Sequence, residues 1–327
     1  MQIIRGYKSI PEGLGPMVMT IGTYDGLHLG HRAIIQRVVT HARREGVPAL
    51  VYSFYPPPWR LLGRAEHPYL ILTLKEKIER MRALGVDVLL TEEFTPELRA
   101  LSHLDFADEV LYRQLNAQEI HVGYDFGFGK GRAGDWRFLQ DHLGPRGVTV
   151  RPHGAVRLDG GIIGCRLIRA HVVEGRVAQA AVLLGQRHVV RGTVIHGDKR
   201  GRTIGFPTAN VDPDTELVPG IGVYAVTLRL PGSSEELKGI ANVGVRPTFG
   251  GDPTKRVEVH LFDWEGDIYG EEVLVSFAFR VRDEQTFDGI ESLTEQIRAD
   301  VLSVRRRDEW PTVGAAAERL TWDPKPI

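Results

Sequence analysis

The sequence predicts an α/β chain of two domains: a doubly wound parallel sheet first, then a small antiparallel β-barrel with one closing helix. Three observations predict it. Apolar runs of strand length alternate with helix-period segments across residues 17–184. Past Gly185 the alternation gives way to short β-rich segments divided by Gly, Pro and Asp turns. At 327 residues the chain has room for two domains of ordinary size. The boundary is expected at 185–188, giving domains 1–185 and 186–327.

The elements follow in order. "MVMTIGT" is an apolar run that stops at a turn, and "RAIIQRVVTHARREG" has helical spacing that ends on Gly46. "PALVYSF" reads as a strand and "TLKEKIERMRALG" as an amphipathic helix closed by Gly85. "VDVLL" is a strand, "SHLDFADEVLYRQLN" a helix with Ser102 as N-cap, and "EIHVG" a further strand. Parallel strands of this kind place ligands outside their carboxyl ends, so the loops Thr23–His31, Tyr55–Trp59 and Gly123–Asp135 are expected to meet there. In the second half, "HVVRGTVIHG", "GVYAVTLRLPG", "LKGIANVG", "RVEVHLFDW" and "EEVLVSFAFRV" read as barrel strands. "IESLTEQIRADVLSVRRR" is the long helix, and "TVGAAAERLTWDPKPI" is expected to be a loosely held tail.

Composition narrows the function. Lys+Arg 41 against Asp+Glu 42 leaves a net charge of -1, so no global field favours nucleic acid or an anionic membrane. The single cysteine, Cys165, excludes an intramolecular disulfide and a Cys-based zinc site, and suits a reducing compartment. The first residues lack a signal-peptide layout, and no apolar run approaches the ~18–20 residues of a membrane span. A cytoplasmic protein acting on small molecules is expected, with neither nucleic acid nor membrane as partner.

Four stretches carry chemistry. In "GTYDGLHLGH", His28 and His31 flank Gly30 where a strand gives way to a helix, so imidazoles and helix N–H groups converge on one phosphate. Nucleotidyl transfer needs such donors as charge builds on the α-phosphate and the departing pyrophosphate; two ordinary surface histidines would give the same letters. "GYDFGFGKGRAGDW" combines glycines with aromatic rings and cations, as a flexible loop around an aromatic ring and phosphate would, or as a long surface loop with a few packed aromatics would. In "HGDKRGRTIGFPTAN", Gly197, Gly201 and Gly205 alternate with Lys199, Arg200 and Arg202, a composition that cradles polyphosphate. Thr208 and Asn210 follow on one face of an extended segment, and their oxygens are hard ligands suited to Mg²⁺. Glu258 alternates with buried valines in "VEVHLFD", placed either as a base for a substrate hydroxyl or as a solvent-facing strand residue.

Together these residues resemble the bifunctional prokaryotic riboflavin kinase/FAD synthetase family over nearly the whole chain. Gly22, Tyr24, Asp25, Gly26, His28, Gly30 and His31 match its G-x-F-D-G-x-H-x-G-H motif, with Tyr24 for Phe. Val122–Gly129 match its V-G-x-D-F-x-F-G loop, in which Asp125 takes the position that contacts nucleotide or flavin. Gly197–Asn210 match the flavokinase G-x-x-x-G-R-x-x-G-F-P-T-A-N, and Glu258 corresponds to its catalytic glutamate. Asp267-Ile268-Tyr269-Gly270, "NVGVRPTF" and "VRDEQTF" also match. The resemblance implies that ATP·Mg²⁺ and riboflavin give FMN, which a second ATP converts to FAD, both flavins being substrate or product and not prosthetic group. The competing reading is a riboflavin kinase whose first domain is a catalytically weak scaffold. A cytidylyltransferase or class I tRNA synthetase fragment fits less well, since it explains neither the kinase half nor the missing K-M-S-K-S string.

Two segments depart from the family. Tyr55-Pro56-Pro57-Pro58 stands where a D-P-H-P-like segment is usual. "IIGCRLIR" stands for I-S-S-T-x-x-R and keeps only Ile163 and Arg169, with Gly164, Cys165 and Arg166 replacing three hydroxyls. Arg166 and Arg169 are then the phosphate contacts that the segment offers, since a guanidinium binds phosphate in a fork. FAD formation slower than FMN formation is the expected consequence.

Overall fold

The computed structural model describes residues 1–11, 13–63, 69–197, 200–246, 254–307, 310 and 319–323. The chain forms two compact units: Met1–Pro68, Leu74–Gly164 and Arg319–Ile327 in one, Tyr69–Thr73 and Cys165–Glu318 in the other.

The first unit holds a parallel sheet of β1 (Gln2–Arg5), β2 (Met17–Gly22), β3 (Ala49–Phe54), β4 (Val88–Glu92), β5 (Ala117–Gly123) and β6 (Thr149–His153), in the order β1-β4-β3-β2-β5-β6. Its helices are α1 (Leu29–Glu45), α2 (Pro58–Leu61), α3 (Leu74–Ala83), α4 (Pro96–Ala100), α5 (His103–Asp105) and α6 (Trp136–Leu143). The central strands are buried on both faces; in β3, Leu50, Val51 and Tyr52 are wholly buried. Helix α1 stops where Gly46 turns left-handed at φ 68°. Ser102 Oγ accepts from Asp105 N at 3.0 Å, and from α5 the chain continues as a π-helix, Phe106–Gln114. The three loops expected to line a ligand crevice do leave carboxyl ends, those of β2, β3 and β5.

The second unit starts with α7 (Cys165–Val173) and α8 (Val177–Leu184). A closed antiparallel barrel follows, built of β9 (His188–Ile195), β10 (Ala209–Pro213), β11 (Gly222–Arg229), β12 (Leu237–Arg246), β13 (Thr254–Leu261) and β14 (Glu272–Arg282), in the order β10-β13-β12-β11-β14-β9. The short α9 (Arg200–Thr203) lies between β9 and β10, and α10 (Ile290–Arg305) follows the last barrel strand. Val190, Val211, Val226, Val243, Val257 and Phe277 fill the interior, one face of each strand. Gly192 permits one tight crossing, since a Cβ there would stand 2.2 Å from the Asp212 carbonyl oxygen.

The segment read as a loose tail is partly structured. Leu320–Trp322 form β15, which pairs with β7 (Val156–Leu158), and β7 pairs in turn with β8 (Gly161–Ile162) in a separate antiparallel sheet of the first unit. Polar Thr321 and the short apolar count hid this strand, whose stability comes from its partner and not from its own pattern.

Candidate active sites

In the first unit the loop after β2 is folded tightly. Tyr24 and Leu27 adopt φ of 45° and 46°, and Gly26 adopts 85°. This turns the Tyr24 ring back under the strand, where its hydroxyl meets Thr20 Oγ1 at 2.5 Å and burial drives its pKa far up. Gly22 accommodates that ring, because a Cβ would lie 3.0 Å from it. Asp25 is buried beside it.

His28 caps α1, its Nδ1 accepting from His31 N at 3.3 Å, which leaves the proton on Nε2. The two imidazoles stack with centroids 3.6 Å apart, and the Tyr24 ring meets His31 edge-on at 5.1 Å. Gly30 seats this stack, since a Cβ there would stand 3.2 Å from the His28 ring and 3.4 Å from Val156 Cβ. Burial lowers His28 to about 3 and, with His28 and Lys77 nearby, holds His31 well below its ordinary value. Both rings are therefore neutral near pH 7.

Sequence reasoning missed Lys77. This α3 residue is 2% exposed, and its ammonium donates to the Thr23 carbonyl at 2.7 Å and to Ser53 Oγ at 3.1 Å. The signal was available: Lys77 lies four residues before buried Met81 on the apolar face of the helix. Lys77 Nζ also stands 5.7 Å from the centroid of Tyr55, the residue that opens the departing Tyr55-Pro56-Pro57-Pro58 segment.

The glycine loop is less free than its composition implied. Phe126 and Phe128 stack at 5.4 Å, and Phe128 bridges to Gly134. A Cβ at Gly129 would lie 2.6 Å from the His103 backbone, and one at Gly134 would lie 2.6 Å from the Phe128 ring. These glycines serve close packing. Asp125 is exposed at the tip, its carbonyl accepting from Arg132 Nη2 at 2.6 Å.

His41, Glu119 and His121 bring together a donor set of the kind metals use. Its protons argue otherwise. Arg37 Nη1 can only donate to His153 Nδ1 (3.0 Å), so His153 Nε2 carries the proton that reaches His121 Nδ1 (2.8 Å). His121 Nε2 then donates to Glu119 Oε1 at 2.6 Å, beside Arg151 Nε at 2.5 Å. This is a chain of donors ending on a carboxylate, and it ties α1 to β5 and β6.

In the second unit, β13 alternates as expected, Val257, Val259 and Leu261 facing inward. Glu258 pairs with Asn210 across to β10 and with Asn242 across to β12, so a carboxylate stands between two amides on the other face. Asn242 was not singled out from sequence, because only barrel closure sets its register. Two cavities share Thr208 near this row. One, of about 270 Å³, is lined by Pro207, Ala209, Trp264, Asp267 and Tyr269; the other, of about 320 Å³, by Ile204, Phe206, Asn242, Glu258 and Phe287. Arg282 Nε donates to buried Asp300 Oδ2 at 2.8 Å and so joins the end of β14 to α10 on the larger cavity.

The glycines of the segment between β9 and β10 differ in what they pack against. A Cβ at Gly197 would lie 2.2 Å from Asn210 Nδ2, and one at Gly201 would lie 2.3 Å from the Phe206 carbonyl and 3.4 Å from Thr208 Oγ1. Gly205 takes φ 85°. Lys199 lies outside the described residues, and of Arg200 and Arg202 only the backbone is described. Arg166 and Arg169 are both on α7 in the second unit, Arg166 exposed and Arg169 buried with Nε donating to the Tyr69 carbonyl at 2.8 Å.

Comparison with known proteins gives consistent matches. The family model described as riboflavin kinase matches residues 184–307, and that described as FAD synthetase matches residues 10–165. The bifunctional riboflavin kinase/FMN adenylyltransferase of Pseudomonas fluorescens is 39% identical over 306 residues, covering 93% of this chain and 97% of that protein. The protein of the same name from Bacillus subtilis is 37% identical, covering 92% and 95% respectively. A crystal structure titled macrolide-efflux protein, from Streptococcus pneumoniae, superposes with a TM-score of 0.84 at 30% identity, covering 94% of this chain and 99% of that one. Among the described residues, no helix is long and apolar enough to cross a membrane.

Proposed function

The chain belongs to the bifunctional riboflavin kinase/FMN adenylyltransferase family, and from that premise we propose how its residues divide the two reactions. It phosphorylates riboflavin to FMN with one ATP and adenylylates FMN to FAD with another. We assign adenylyl transfer to the parallel-sheet domain, within residues 1–185, and phosphorylation to the barrel and α10, within residues 186–327.

The observation that carries the kinase assignment is the Asn210–Glu258–Asn242 row beside Thr208, which lines two cavities. Trp264 and Tyr269 suit an adenine ring in the smaller cavity, and Phe206 and Phe287 suit a flavin ring in the larger. A phosphoryl group passing between them passes Thr208. Glu258 is the base that takes the proton of riboflavin's primary hydroxyl as the oxygen attacks phosphorus. The donor set fits Mg²⁺: Gly197 and Gly201 leave the space that the Asn210 amide and Thr208 hydroxyl need, and both offer hard oxygens. These two residues would hold the ion, which when bound offsets the charge of the ATP phosphates. Gly205 and the cations Lys199 and Arg202 complete the phosphate loop.

Adenylyl transfer is assigned to Gly22, Tyr24, Asp25, His28, Gly30 and His31, with Asp125 on the nucleotide or flavin side. The His28 Nε2–H and the first N–H groups of α1 are donors fixed before charge develops on the α-phosphate. The Lys77 ammonium adds a buried positive charge beside them. The loss of three hydroxyls in "IIGCRLIR" makes this the slower reaction. The single cysteine supports the reading of a reducing, cytoplasmic setting. Product analysis with riboflavin or FMN as the supplied flavin tests the assignment: FMN and FAD are both expected from the first, FAD alone from the second.

A further inference from the structure

Strand β15 has no part in either reaction as assigned, yet it is built firmly into the first unit. Leu320, Thr321 and Trp322 pair with Leu158, Arg157 and Val156, and Asp323 N donates to the Ala155 carbonyl at 3.0 Å. The backbone passes directly over Gly154, where a Cβ would stand 2.2 Å from the Asp323 carbonyl oxygen. Arg157 Nε donates to Asp323 Oδ1 at 2.8 Å. The Arg37 guanidinium of α1 lies 3.9 Å over the Trp322 ring while bonded to His153.

This strand supports β7, whose other neighbour, β8, is two exposed residues. A three-residue strand with only that neighbour does not hold its place in water. Val156 of β7 is buried where Gly30 leaves room, 3.4 Å from the Gly30 Cβ position, and the same position is 3.2 Å from the His28 ring. Trp322 thus pairs with Val156, which borders the space that Gly30 leaves open beside the His28 ring.

We infer that residues 320–323 are a positioning element for adenylyl transfer, holding β7 as the wall against which Gly30 and His28 are seated. The inference rests on the assignment of FAD formation to the first unit. Displacing that wall moves the His28 donor without touching the barrel.

The test compares full-length wild type, Trp322→Ala, Trp322→Phe and Gly154→Val, each assayed for FAD from FMN and for FMN from riboflavin. Trp322→Ala and Gly154→Val should lower kcat for FAD formation by about tenfold to a hundredfold, with KM for FMN and the rate of FMN formation within about twofold. Trp322→Phe should restore most of the lost kcat, because it keeps a ring under Arg37. Unchanged kcat in Trp322→Ala and Gly154→Val, an equal fall in both reactions, or a Phe variant no better than Ala would overturn the inference. A wild type that makes no FAD would overturn the assignment beneath it, a different and distinguishable result.

Discussion

Asn210 and Glu258 face each other at one ladder position of β10 and β13, and Asn242 meets the same Glu258 from β12. The carboxylate is thereby fixed on a rigid wall between two amides, beside the hydroxyl of Thr208. That fixity is what a base for a substrate hydroxyl requires.

Glu258→Gln keeps the shape of this row and removes the base. FMN formation should fall by about 10²–10⁴-fold with nucleotide binding retained. Turnover near wild type would remove Glu258 from the chemistry.

Thr208→Ala deletes one oxygen from the set proposed to hold Mg²⁺. The Mg²⁺ concentration for half-maximal FMN formation should rise by about tenfold, equivalent to about 1.4 kcal/mol. A magnesium titration that superposes on wild type would show that Thr208 is no ligand.

Lys77→Met keeps the apolar stem on α3 and loses the buried ammonium that bonds Thr23 and Ser53. FAD formation from supplied FMN should drop by about a hundredfold, with FMN formation unchanged. Equal losses in both reactions would point to general destabilisation of the chain.

Acid should destabilise the first unit. Burial holds His28 and His153 at about 3 and His121 at about 4. Each stays neutral when folded but gains a proton on unfolding once the pH is below about 6.5. Stability is thus full above that value and declines as pH falls toward about 4, each histidine contributing about 1.4 kcal/mol per pH unit. The groups facing His121 and His153 (Glu119, His41, Arg37 and Arg151) keep this cluster closed at neutral pH. Thermal midpoints of the full chain at pH 7.5, 6 and 5 read the effect directly; a flat profile would show that these rings take up protons as readily in the folded state as in the unfolded one.

Much of the architecture is written locally. The central strands β2, β3 and β4 are mostly apolar on both faces and end in glycines or polar turns, so they are legible as runs. Strand β1 is not, since Gln2, Ile3 and Arg5 are exposed and only Ile4 is buried; its strand character comes from pairing with β4. Strand β6 carries Arg151 and Pro152 and is held by β5. At the sites, residue types were legible and their neighbours were not. Glu258 shows in the alternation of β13, while Asn242 depends on a register that only the closed barrel sets. Gly30, Gly129 and Gly134 read as room for a ligand, yet the atoms a Cβ would meet belong to His28, His103 and Phe128. Lys77 was passed over although it shares the apolar face of its helix with Met81.

The most direct test of the account is the mass of the flavin products formed by the purified full-length chain. Riboflavin with Mg²⁺ and ATP should yield FMN first and FAD later, and FMN with the same ATP should yield FAD at a lower rate than FMN forms. Accumulation of FMN with no FAD from either flavin would contradict the bifunctional assignment and leave only the barrel active.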